Sequence, residues 1–113
     1  MTKQHEVFQE MKEYLDQFID DRKWDKYRTP KNLSMALSVE VAELVELFQW
    51  LSEKESWEVT NIPDTKEQIE EEMADVLSYL VQLAGKLEID LHQAFWKKTK
   101  KNEAKHSIEK ALN

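Results

Sequence analysis

Val7, Phe8, Met11, Leu15, Phe18 and Ile19 recur at spacings of three and four, which predicts an amphipathic helix over about residues 3–22. The same period returns over about residues 32–53, 65–87 and 91–103, so four helices are expected. The segments between them carry the breaking residues. Arg22 to Lys31 holds Trp24, Tyr27 and Pro30, Ser56 to Asp64 is closed by Pro63, and Gly85 to Ile89 ends the third helix. Asn32 or Ser34 is expected to cap the second helix and Asp90 the fourth. Glu103 to Asn113 is weakly patterned and is expected to fray or to pack on a partner. The expected architecture is an all-α, four-helix bundle in one domain spanning 1–113, with a core of about 5–103 and a tail over 104–113.

Composition narrows the chemistry. One glycine, Gly85, and two prolines cannot supply the tight turns of an all-β fold, nor a glycine-rich phosphate loop. No cysteine is present, so disulfides, thiolate metal sites and a cysteine nucleophile are excluded. The net charge of −7 repels nucleic-acid polymers and anionic membranes, but tolerates a phosphate-bearing small molecule if a divalent cation mediates. No long apolar run is present, and a reduced cytoplasmic compartment is expected.

The second and third helices carry acids where apolar residues are expected. On a helical wheel Glu40 and Glu43 share a side with Leu33, Ala36, Leu47, Trp50 and Leu51. Glu72 and Asp75 border the stripe of Val76, Leu80, Leu83 and Leu87, near Tyr79 and Lys86. Two acid pairs at i, i+3 on facing helices would gather four carboxylates. Without a cation that is costly, whereas Mg²⁺ or Mn²⁺ is well served by it. The other reading is solvated acids on Glu-rich helices, as Glu70 and Glu71 look, with Glu46 ambiguous. His5, His92 and His106 do not stand three residues after a Glu near these pairs, so a di-iron site and zinc are disfavoured and Mg²⁺ is favoured.

The fourth helix places Lys98, Lys101, Asn102 and Lys105 on one side. Lys98 and Asn102 could hold phosphate oxygens, or the lysines could simply complement the helix C-terminus. Trp24 and Trp50 lie where they could stack on a base or pack in the core, while Trp57 and Trp96 are expected in the core.

Three blocks together, Glu40 to Trp50, Glu71 to Leu80 and Lys98 to Asn102, resemble the MazG-like nucleotide pyrophosphohydrolases, in particular the short single-domain branch that includes the dCTP pyrophosphatases. The resemblance runs from about Trp24 to Asn102. It implies an all-α nucleoside triphosphate pyrophosphatase fold completed as a homodimer or homotetramer. Glu40, Glu43, Glu72 and Asp75 match that family's Mg²⁺ ligands, and Lys98 and Asn102 its phosphate-contacting pair. Trp24, Trp50 and Tyr79 fall where dCTP-specific members contact the nucleotide. Two departures stand out: Leu15 aligns with a substrate-contacting histidine of the animal dCTP enzymes, and His106-Ser107 replaces a usual Tyr-Pro.

The resemblance thus implies hydrolysis of a (deoxy)nucleoside triphosphate such as dCTP to the monophosphate and pyrophosphate, in nucleotide-pool control. A water would attack the α-phosphorus, with Glu43 or Glu46 orienting or deprotonating it and Lys98 stabilising charge on the leaving phosphates. Partner helices are expected to complete the core and the nucleotide site, because a chain this small buries little of its surface alone. The alternatives are a non-catalytic helical interaction module and a same-fold pyrophosphatase acting on dUTP or phosphoribosyl-ATP.

Overall fold

Six α-helices make up a computed structural model that describes residues 3–113, with no strand among them. Helix α1 runs Lys3–Asp21, α2 Pro30–Glu46, α3 Glu53–Glu58, α4 Pro63–Lys86, α5 Leu91–Lys105 and α6 Ile108–Leu112. The four long ones are the four that the periodicity predicts. Single 3₁₀ turns lie at Asp25–Tyr27 and Val59–Asn61.

Local chemistry sets each boundary, and several differ from expectation. Helix α2 begins at Pro30, because the Thr29 hydroxyl accepts the Asn32 amide and proline suits the first helical position. Neither Asn32 nor Ser34 is its cap. Helix α2 also stops at Glu46, so Trp50 and Leu51 do not lie on its wheel. A reciprocal capping box at Ser52 and Glu55 starts α3 where an irregular segment is expected. Asp90 caps α5 as anticipated, and Ser107 caps α6 within the tail expected to fray or to pack on a partner.

The ends of α1 and α4 share a device that the sequence conceals. Lys23 and Glu88 both adopt left-handed backbone, at φ 55° and 54°. After each, an amide reaches back five residues: Trp24 N donates to Ile19 O and Ile89 N to Ala84 O. These are Schellman closures in which a non-glycine residue holds the position that glycine favours. Gly85 does not end α4. It lies inside the helix, where an added Cβ would come 3.0 Å from Lys12 Cε of α1.

Helix α4 is the axis of the fold. Its most extensive packing is along α2, and α1 lies against it as well. The buried apolar residues are Ile19, Leu33, Val59, Ile69, Val81 and Ala84. Val81 and Ala84 replace Leu80 and Leu87 of the expected stripe, which are exposed, since α1 and α2 load different sides of α4. Trp57 is 85% exposed and Trp96 half-exposed, so neither is the core residue expected. The Cα radius of gyration is 17.4 Å, against roughly 13 Å for a closed globule of this length.

Candidate metal and nucleotide site

Because α2 lies along α4, the two acid pairs face one another. Glu40, Glu43 and Glu72 each present one carboxylate oxygen within 4.8 Å of the others. Asp75 stands one turn beyond Glu72, close enough that its charge acts on both Glu40 and Glu72, but it is not in that closest group. Burial, then contact with the Glu72 and Glu43 carboxyls, then the charges of Glu43 and Asp75, push the Glu40 carboxyl up to about 7. Glu72 is likewise raised, again chiefly by burial.

The geometry leaves a specific deficit. Glu40 Oε2 and Glu72 Oε2 are buried and accept no hydrogen bond. A buried carboxylate oxygen without a donor is destabilising. Among the described residues no lysine or arginine is paired with either. A hard divalent cation would satisfy both atoms, and an all-oxygen donor set suits Mg²⁺ or Mn²⁺. The residues present therefore fit such an ion.

Beside the acids lies a cleft of about 490 Å³ between α1, the 24–28 segment, α2 and α4. Its walls include Leu15, Phe18, Trp24, Tyr27, Ala36 and Tyr79, and Asp75 lines it on the side of the acid cluster. Trp24 and Tyr79, for which the resemblance implies nucleotide contact, thus line one cleft together with Leu15. The Arg22 guanidinium sits 3.6 Å over the Phe18 ring, whose edge in turn meets Trp24.

Four expected residues are not brought to this place by the chain itself. Trp50 lies in the turn after α2, 87% exposed and outside the cleft. Lys98 and Asn102 are exposed on α5, which packs on α1, and the side chain of neither bonds an acid of the cluster. Glu46 ends α2, exposed and outside the carboxylate group.

The sequence reading missed the polar residues of the cleft. Arg28 and Gln82 are the buried polar side chains of the described residues, and both line it with Ser78 and Asn32. Gln82 interrupts the apolar run Leu80-Val81-Gln82-Leu83-Ala84, which was the available signal.

The geometry defines an all-α scaffold in which two Glu-bearing helices gather carboxylate oxygens able to hold a cation, with an aromatic cleft beside them. The profile of the MazG-like family matches residues 35–113, and the chain belongs to that family. It is 39% identical over 92 residues to dCTP pyrophosphatase 1 of Mus musculus, covering 81% of this chain and 54% of the relative. Against the Homo sapiens dCTP pyrophosphatase 1 it is 41% identical over 75 residues, covering 66% and 44%. The chain thus spans about half the length of the curated relatives it matches. The crystal structure of a pyrophosphatase from Archaeoglobus fulgidus is 46% identical, with a TM-score of 0.82 over 88% of this chain and 91% of that one. No helix among the described residues is long and apolar enough to cross a membrane.

Proposed function

We propose that the chain is one domain, 1–113, of a Mg²⁺-dependent nucleoside triphosphate pyrophosphohydrolase that acts on a deoxynucleotide such as dCTP. The observation that carries this reading is the pair of donorless, buried carboxylate oxygens on Glu40 and Glu72, beside Glu43 and Asp75, at the mouth of an aromatic cleft. Dedicated pyrophosphatases among its relatives support it.

Glu40, Glu43, Glu72 and Asp75 would hold the ion. A bound divalent cation would neutralise triphosphate charge and lower the pKa of a water. The chain's own part is positional. Trp24 and Tyr79 would flank the base, and Asp75 ties that cleft to the acids. Glu43 or Glu46 would take the proton as the water oxygen bonds to the α-phosphorus. The bond from that phosphorus to the bridging oxygen then breaks, and pyrophosphate leaves. Lys98 and Asn102 would meet the leaving phosphates.

In this reading Trp50, Lys98 and Asn102 complete the site through association of copies, as a dimer or tetramer. The solvent-accessible surface supports association. It is 9260 Å², about 2700 Å² above the norm for 13.5 kDa. A standard interface takes roughly 800 Å² from each partner.

The test is a panel of triphosphates with Mg²⁺ and product analysis. Equal amounts of monophosphate and pyrophosphate are expected, and orthophosphate as sole product sinks the α–β cleavage. Glu43→Gln and Asp75→Asn should each lower turnover at least a hundredfold while circular dichroism stays helical. Near-wild-type turnover in both refutes the metal assignment.

A further inference from the structure

Trp24 and Tyr27 form one wall of the cleft, yet both are about half-exposed or more, so burial does not fix them. They sit on a segment with one 3₁₀ turn and no longer helix. From Arg22 to Asn32 the single buried side chain is Arg28, at 8% exposure. Its three nitrogen positions reach three elements. Nε donates to Gln82 Oε1 on α4 (3.1 Å), Nη1 to Asp25 Oδ1 within the segment (3.2 Å) and Nη2 to Asp16 Oδ1 on α1 (3.3 Å).

The network is braced at its edges. Gln82 Nε2 donates to Ser78 Oγ (3.2 Å), Lys86 Nζ to Asp25 Oδ1 (2.7 Å) and Lys12 Nζ to Asp16 Oδ2 (2.7 Å). A planar guanidinium satisfied on every nitrogen is a rigid fixture, unlike a flexible ammonium. Its partner Gln82 is also buried, and an amide lost there leaves the buried Arg28 Nε without an acceptor and frees the guanidinium from α4. Ser78, Gln82 and Asp75 lie on one helix, so the clasp and the metal edge of the cleft share a single rigid support.

We propose that Arg28, clasped by Gln82, is a positioning residue that holds the Trp24–Tyr27 wall against α4 and thereby sets affinity for the nucleobase half of the ligand. The inference rests on the nucleotide reading of the cleft. The hydrogen bonds of Arg28 and Gln82 go to none of Glu40, Glu43, Glu72 and Asp75, so the clasp acts on the base side and leaves recognition of the phosphates to the metal and the lysines.

Two probes separate the halves: α,β-imido-dCTP, which is not hydrolysed between those phosphates, and inorganic tripolyphosphate. Binding of each with Mg²⁺ is measured by calorimetry for wild type, Arg28→Ala and Gln82→Leu, with circular dichroism as the folding check. Both variants should bind the nucleotide analogue about tenfold more weakly, the scale of one lost stacking contact, and tripolyphosphate within twofold of wild type. A general loosening of the fold would weaken both probes alike, and that result overturns the proposal, as does unchanged analogue binding by a folded variant. Gln82→Leu keeps the side-chain volume, so it decides the matter if Arg28→Ala does not fold. Failure of wild type itself to bind the analogue would instead refute the nucleotide reading.

Discussion

Replacing Glu40 by Gln should stabilise the metal-free protein at alkaline pH while weakening its response to Mg²⁺. The Glu40 carboxyl titrates near 7 in the fold instead of the ordinary 4.5, with burial the leading cause. An unfolded chain releases this proton near the ordinary value. Between the two, folding takes up a proton, so stability falls as the pH rises and the full penalty is present above about 7. At 1.36 kcal/mol per unit the ceiling is roughly 3 kcal/mol. Glu40 is half-buried rather than sealed, and water screening reduces this to about 1–2 kcal/mol. Glutamine carries no charge to desolvate. At pH 8 in a chelator Glu40→Gln should therefore melt about 4–8 °C above wild type. At pH 5 the two should converge, because Glu40 is then largely protonated in the fold. Millimolar Mg²⁺ should raise the wild-type midpoint at pH 8 by mass action and the variant's much less. The assay is scanning fluorimetry or calorimetry over pH 5–8. A variant that melts at or below wild type at pH 8 would refute the argument that the acid cluster strains the empty fold.

Other substitutions test the scaffold. Glu88→Gly relieves the left-handed backbone after α4 and should add about 0.5–1 kcal/mol, seen as a rise in urea midpoint with unchanged slope. Ile69→Ala removes a buried side chain one turn before Glu72 and should cost about 2–4 kcal/mol in the same assay. Sedimentation velocity should show a dimer or larger species at micromolar protein. Phe95→Glu with Trp96→Glu, on the exposed aromatic face of α5, should drive the protein toward monomer if that face is covered in the assembly.

What could be read from the chain follows the range of the forces involved. Helix content and the i, i+3 acid pairs depend on neighbours within a turn or two, and those were legible: four long helices, and Glu40, Glu43 and Glu72 converging. Helix ends were less so. The capping choice at Thr29 and the left-handed Lys23 and Glu88 depend on backbone geometry that no glycine marks. Which residues would be buried was misread where a helix has two partners. Val81 and Ala84 of α4 are buried, and Leu80 and Leu87 are not.

The cleft shows the same limit from the functional side. Glu40 and Glu72 were findable because an acid on an apolar face contradicts local hydrophobic order. Gln82 carries that same contradiction, yet its meaning depends on Arg28, fifty-four positions away, and no local pattern links the two. Trp50 and Trp57, exposed at 87% and 85%, mark where the single chain ceases to explain itself. Large aromatics left in water beside an excess of accessible surface are unfavourable for an isolated molecule. The carboxylates of Glu40 and Glu72 hold oxygens without a donor, and α5 and the turn after α2 leave large aromatics exposed. The proposed function would relieve both deficits, through an ion and a ligand at the carboxylates and cleft and another copy over the aromatics.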